Sequence, residues 1–75
     1  MDSRWLVRAL RERMGLTQEK FAARLGVTFP TINRWENGHA HPSPLAMRQI
    51  ETLLQELGEQ ARDLGEAYFA SDTRS

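Results

Sequence analysis

Few residues of this chain have types and spacings that could support chemistry. No Ser/His/Asp set, paired carboxylate site or glycine-rich phosphate loop is present, so we expect neither an enzyme nor a cofactor. His39 and His41 form an H-x-H pair without other convincing ligands, so we predict no metal site. Asn33 and Arg34 differ, because their amide and guanidinium groups can donate hydrogen bonds to the edges of nucleic-acid bases.

The elements that must position these side chains are short helices. Apolar residues recur at three- and four-residue steps in three segments, residues 3–14, 17–26 and 28–36. Thr17 and Thr28 are typical N-caps, and Pro30 lies in a first turn, where its missing N–H does no harm. Gly26 can close the second helix in a left-handed conformation. No segment alternates like a strand, so we predict an all-α fold.

A different apolar pattern begins after Ser43 and Pro44, which together are typical of a helix start. Apolar residues then follow steps of four and three: Ile50, Leu54, Leu57, Ala61, Leu64 and Tyr68. Two arrangements fit this stripe. The first is one continuous helix over residues 44–70, and the second is two helices broken near Gly58. No proline and no polar cluster marks a turn, which favours the continuous helix.

The second half of this stripe has little left in the chain to pack against. We therefore predict a homodimer interface that includes Ala61, Leu64, Tyr68 and Phe69. Trp5 could join it. The chain has 75 residues and no cysteine, so its core is small and a partner chain is the expected additional source of stability. We assign residues 1–70 to one domain and residues 71–75 to a disordered polar tail.

Charge is distributed unevenly along the chain, although its net charge is zero. Residues 1–38 carry a net charge of +3 and residues 39–75 carry −3. This asymmetry fits either ordinary scatter or a basic DNA-binding face with an acidic tail turned away from it. Charges interrupt every apolar stretch, so we expect no signal peptide, no membrane contact and a cytoplasmic location.

The segment from Gln18 to Glu36 meets the geometric demands of a helix-turn-helix. Ala22 is small where the two helices would cross, Gly26 lies at the turn, and Val27, Ile32 and Trp35 can pack inward. The sequence runs GLTQEKFA, then LGVT, then TINRWENG. It strongly resembles the Cro/C1-type (Xre-like) helix-turn-helix family over about residues 5–57. The resemblance implies a lambda-repressor-like bundle of about five helices that binds double-stranded DNA, commonly as a dimer.

The resemblance also implies roles for individual positions. The positions that match the exposed, base-contacting side of the second helix are Phe29, Pro30, Thr31, Asn33 and Arg34. The positions that match contacts to the DNA backbone are Gln18, Thr28, Asn37 and, in the following loop, His39 and His41. These histidines are equally compatible with a plain loop. Arg11 and Glu36 match a buried salt bridge between the first and third helices.

Phe29 and Pro30 depart from the family pattern, which places polar base-contacting residues there in many members. Neither side chain can hydrogen-bond a base edge, although both could touch a thymine methyl group. Asn33 and Arg34 are therefore the better donors, Asn being suited to adenine and Arg to guanine. Arg34 could instead contact a phosphate or lie in solvent. Trp35 lies on the apolar side of its helix, so we expect it in the core.

These observations predict a sequence-specific DNA-binding transcriptional regulator, with a homodimeric repressor as the favoured form. One alternative is an antitoxin that represses its own operon while its acidic C-terminal helix binds a toxin protein. A second alternative is a protein-interaction module without DNA binding, which the neutral charge and the Phe29-Pro30 pair would suit.

Overall fold

Five α-helices and one 3-10 turn make up the part of the chain that the structure describes. They are α1 (Arg4–Arg13), α2 (Gln18–Leu25), α3 (Phe29–Glu36), α4 (Pro44–Leu57), the 3-10 turn Gly58–Ala61, and α5 (Arg62–Thr73). The computed structural model describes the backbone of residues 4–73 and the side chains of residues 4–68. Over this range there is no strand, so the all-α prediction is confirmed. None of these helices is long and apolar enough to cross a membrane.

Threonine side chains begin both α2 and α3, as the sequence predicts. Thr17 Oγ1 accepts a hydrogen bond from the Lys20 N–H at 3.1 Å, and Thr28 Oγ1 accepts one from the Thr31 N–H at 3.3 Å. Each cap satisfies a backbone donor that the first turn leaves without an intrahelical partner. Gly26 closes α2 with a φ of +74°, which glycine adopts without strain. The turn between α2 and α3 is therefore fixed by local chemistry.

One apolar core lies between the helices. Its buried side chains are Leu6, Val7, Leu10, Phe21, Ala22, Leu25, Ile32, Trp35, Ala46, Ile50, Leu53, Leu54, Ala61 and Leu64. α3 contributes Ile32 and Trp35 and packs against both α1 and α2. Trp35 is buried, so its predicted place in the core is confirmed. Because its inner side is held by this core, α3 presents a fixed outer side to solvent.

The helical stripe after Pro44 is interrupted at Gly58, where φ is +56° and ψ is −121°. L-amino acids rarely adopt this conformation. α5 then packs against α4 and α1, so the chain forms two helices there rather than the single helix that the apolar pattern favours. α5 also includes residues 71–73, part of the segment that the sequence predicted as a disordered tail.

The folding back of α5 corrects the assumption behind the predicted dimer interface. Ala61 and Leu64 are 1% and 7% exposed, because α1 and α4 already cover them. Tyr68 is half-buried, and its ring lies 6.3 Å from that of Trp5. The side chain of Phe69 is outside the described residues. Ala61 and Leu64 thus stabilise their own chain, since the break at Gly58 lets them reach its core.

Among the described residues, the Arg13–Asp63 and Arg24–Glu56 ion pairs join the basic first half of the chain to the acidic second half. Arg13 donates to the two carboxylate oxygens of Asp63 at 2.9 and 3.1 Å, and also to the carbonyl oxygen of Gln60. The Arg13 hydrogen bond lowers the pKa of Asp63. Arg24 Nη2 lies 3.4 Å from Glu56 Oε1. The acidic C-terminal helices therefore pack against the basic half instead of turning away from it.

Candidate nucleic-acid interface

The predicted base-contacting residues lie at the solvent side of α3. Phe29, Pro30 and Arg34 are exposed, and Thr31 and Asn33 are half-buried. The eight residues of α3 make a helix about 12 Å long. The major groove of B-DNA is about 12 Å wide and admits an α-helix, whose diameter with side chains is about 10–12 Å. The outer side of α3 is therefore presented in a form that can enter a groove.

Arg34 is an exposed cation whose guanidinium has no hydrogen bond or ion pair within the described part of the chain. Arg13 and Arg24, in contrast, are held by acidic side chains of the second half. Lys20 on α2 and Arg48 on α4 resemble Arg34 in being exposed and unengaged over the same range. Arg34 is thus the cation of α3 that is available to a base edge or a phosphate.

The end of α3 is fixed to α1 by an ion pair between Arg11 and Glu36. Arg11 Nε donates to Glu36 Oε2 at 2.7 Å, and Arg11 Nη2 donates to Glu36 Oε1 at 3.1 Å. The third nitrogen of Arg11, Nη1, donates to the carbonyl oxygen of Leu16 at 3.0 Å. The two side chains are 15% and 6% exposed, and the hydrogen bond to Glu36 raises the pKa of Arg11. The charges are well matched, so the pair can orient α3 rigidly.

Three side-chain amides continue from this ion pair toward solvent. Gln18 Nε2 donates to Glu36 Oε1 at 3.0 Å, and Asn33 Nδ2 lies 3.4 Å from Gln18 Oε1. Asn37 Nδ2 donates to Asn33 Oδ1 at 3.0 Å. We call Gln18, Asn33 and Asn37 the amide series. Sequence reasoning missed these contacts, because only the folded α2–α3 unit brings Gln18 beside the other two.

The remaining predicted phosphate contacts are at the two ends of α3. Thr28 is exposed at the start of α3, and its hydroxyl lies 2.8 Å from that of Thr31. Asn37, His39 and His41 are exposed in the loop that follows α3. The described residues include no group of three or more His, Cys, Asp or Glu side chains that could hold a metal ion. Both ends of α3 therefore present polar groups to solvent.

Arg4 is a cation near this loop to which the sequence analysis gave no role. A Cβ atom built on Gly38 would lie 3.0 Å from Arg4 Nη1. Gly38 also has a φ of +78°, so both its conformation and its neighbour favour glycine. The Arg4 side chain thus lies over the loop after α3, beside the predicted phosphate contacts. Only the packing of α1 on this loop reveals that proximity.

Comparison with known proteins gives matches over the same helices. A helix-turn-helix family model matches residues 7–59. A stretch of 52 residues, 69% of this chain, is 42% identical to the propionyl-CoA carboxylase regulator of Cereibacter sphaeroides but covers 11% of that protein. A stretch of 51 residues, 68% of this chain, is 43% identical to an HTH-type transcriptional regulator of Methanothermobacter thermautotrophicus and covers 74% of it. No solved structure matches this chain.

The matched region, residues 7–59, covers more than half of the chain. It contains α2, α3 and the turn between them, together with the Arg11–Glu36 pair that fixes the end of α3. The relative that this chain covers by 74% is also named as an HTH-type regulator. The chain therefore belongs to the Cro/C1-type helix-turn-helix family of DNA-binding transcriptional regulators.

Proposed function

We propose that this protein binds specific sequences of double-stranded DNA as a homodimer and represses transcription by occupying them. The observation that carries the proposal is the geometry of α3. Its inner side is held by the core and its end by the Arg11–Glu36 pair, while Arg34 remains exposed and unengaged in the described structure. A rigid helix with available donors suits the major groove. Repression needs no catalysis, because a bound protein excludes other proteins from its site.

Contacts to DNA divide into those that select bases and those that hold the backbone. We assign base contacts to the outer side of α3, with Arg34 donating to guanine and Asn33 pairing with adenine. Phe29, 45% exposed, and Pro30 offer apolar contact to a thymine methyl group. We assign the backbone contacts to Gln18, Thr28, Asn37, His39 and His41. These polar groups flank α3 and would fix its register along the duplex.

The length of α3 supports the proposed dimer. A helix of eight residues is about 12 Å long and spans roughly four base pairs at about 3.4 Å each. So short a site recurs too often in a genome to be selected by one chain. Two chains related by a two-fold axis would contact two half-sites about 34 Å apart, or one helical turn. The matching DNA site is a palindrome.

Selection of binding sites from random duplexes tests the proposal. We expect the unaltered protein to enrich a palindromic motif. Arg34→Ala should relax the preference at one position of each half-site, because one base contact is lost. Arg48→Ala is the matched control, since it also removes an exposed cation but lies on α4, outside the helix-turn-helix. It should leave the motif unchanged. An unaltered protein that enriches no motif contradicts the proposal and favours a protein-interaction module.

The antitoxin alternative has less support from the charges of the C-terminal segment. Asp63 is paired with Arg13. Arg62 Nη1 lies 3.3 Å from Glu59 Oε1, and Arg62 Nε lies 3.0 Å from Glu66 Oε2. These pairs reduce the acidic surface that a basic toxin could use. Stoichiometric co-purification of a toxin with the chain would nevertheless support that role.

A further inference from the structure

We infer that the buried Glu36 carboxylate, acting through Gln18, sets which way the Asn33 amide faces and so determines the base that Asn33 selects. This inference rests on the proposed function, because Asn33 selects a base only if α3 binds DNA. It concerns how selection is set, and neither Glu36 nor Gln18 needs to touch a base for it. Both are positioning residues.

The argument begins with the donor and acceptor capacity of the ion pair. A guanidinium can only donate hydrogen bonds, and an ionised carboxylate can only accept them. Arg11 donates to both oxygens of Glu36, and Gln18 Nε2 lies 3.0 Å from Glu36 Oε1. If the Gln18 amide were reversed, its oxygen would face the carboxylate oxygen. Two acceptors would then meet at a side chain that is 6% exposed, where little water can separate them.

The orientation of Gln18 then determines that of Asn33. Because Gln18 Nε2 faces Glu36, Gln18 Oε1 faces the other way and lies 3.4 Å from Asn33 Nδ2. Asn33 Oδ1 in turn accepts from Asn37 Nδ2 at 3.0 Å. In each of these three hydrogen bonds the donor therefore lies on the side farther from Glu36 along the series and the acceptor on the side nearer to it. The Glu36 carboxylate thus sets the donor-to-acceptor direction of all three hydrogen bonds.

An Asn33 amide fixed in this orientation has a definite set of hydrogen-bond donors and acceptors left for DNA. One N–H is directed at Gln18 and one oxygen lone pair accepts from Asn37, which leaves one N–H and one lone pair. Adenine presents the complementary pair, the N7 acceptor and the N6 donor. A base that required the reversed Asn33 amide could bind only if the hydrogen bonds of the amide series were broken. The free protein is thus already arranged for adenine, and binding does not have to order this side chain.

The test is a double-mutant cycle on the complete chain with the motif that the unaltered protein enriches. Asn33→Ala should remove the adenine preference at one position, a loss of about 5- to 150-fold for one bidentate contact. Gln18→Met keeps the length of the side chain but removes its amide. We expect it to reduce that same preference by at least about twofold, because two equally populated orientations halve the competent fraction. The position that Arg34 contacts should keep its preference.

Gln18→Met also removes a proposed phosphate contact, and the cycle separates the two effects. Loss of a phosphate contact lowers affinity for all sequences alike. In the Asn33→Ala background, Gln18→Met should therefore change overall affinity without changing any base preference. The amide protons of Asn33 give a readout without DNA: their two NMR chemical shifts should move closer together in Gln18→Met. Circular dichroism checks that both variants remain helical.

The outcomes distinguish this inference from the proposed function. If the unaltered protein enriches no motif, the proposed function fails and the base-selecting role of Asn33 fails with it. If a motif is enriched but Gln18→Met leaves the adenine preference unchanged, the inference is overturned while DNA binding stands. The inference is also overturned if Asn33→Ala changes no position, because Asn33 would then select no base.

Discussion

At the scale of single residues, the ion pair between Arg11 and Glu36 is the most consequential contact. Its side chains are 15% and 6% exposed, so removing one partner leaves a charge in a poorly solvated place. We expect Arg11→Met to destabilise the protein by about 3–5 kcal/mol. A core of this size rarely supplies more than about 3–5 kcal/mol in total. Circular dichroism without denaturant should therefore show a largely unfolded variant.

Two controls separate charge from packing. Arg8→Met disrupts an exposed pair with Glu12 on the same helix, where the side chains are 66% and 57% exposed. Its cost should be about 0.3–0.5 kcal/mol in urea unfolding. The double variant Arg11→Met, Glu36→Leu removes both charges and should regain most of the lost stability. If Arg11→Met costs no more than Arg8→Met, the pair does not hold α3 in place.

The ion pair and the amide series also show how far residue-level prediction reaches. The resemblance implied the Arg11–Glu36 pair, and the structure forms it at 2.7 Å. Gln18 was expected only as a phosphate contact, yet its amide also lies between Glu36 and Asn33. A motif carries the identity of each residue but not which lone pair faces which proton. That information appears only when α2 and α3 are packed together.

At the scale of helices, substitution of Gly58 and substitution of Gly65 by alanine should change the stability of the protein in opposite directions. Gly58 has a φ of +56°, so Gly58→Ala should destabilise the protein although space for the methyl group is open. The expected cost is about 1–3 kcal/mol. Gly65 lies within α5, and a Cβ there also meets no atom within 4 Å. Gly65→Ala should stabilise by roughly 0.5–1 kcal/mol, because alanine loses less backbone freedom on folding.

Urea unfolding of the two variants measures both effects against the same reference. Since each change adds one methyl group in open space, the difference between them isolates backbone conformation. A continuous helix through residue 58 would make both substitutions stabilising. That result would contradict the break between α4 and α5.

The helices that the sequence predicted correctly are those whose ends are determined by residues close to each end. Thr17, Gly26 and Thr28 define α2 and α3 through hydrogen bonds and angles within a few residues of each boundary. The break at Gly58 is different. Apolar steps of four and three fit one helix or two, and what distinguishes them is the packing of α5 on α1. Contacts such as Trp5–Tyr68 and Arg13–Asp63 join residues that are distant in the sequence.

At the scale of the whole molecule, charge is organised by contacts between the two halves. The first half carries +3 and the second −3, and the Arg13–Asp63 and Arg24–Glu56 pairs join them. These pairs neutralise cations that would otherwise add to a basic surface. Arg34 and Lys20 remain exposed and unengaged within the described range. We therefore expect attraction to DNA to depend on a few cations of the helix-turn-helix and not on the net charge.

The proposed dimer makes a prediction about the spacing of DNA half-sites. Two copies of α3 related by a two-fold axis can enter the major groove on one face of DNA only when the half-sites are about one turn apart, or about 10 base pairs. Insertion of five base pairs between them rotates one half-site by about half a turn.

We expect sedimentation to find two chains on the original duplex, bound cooperatively. On the expanded duplex the cooperativity should be lost, although each half-site can still bind a chain weakly. A duplex with five base pairs added outside the two half-sites keeps their spacing, so it controls for length alone and should retain the cooperativity. Equal cooperativity on the original and expanded duplexes, or one chain per palindrome, would contradict a dimer that fixes the spacing of the half-sites.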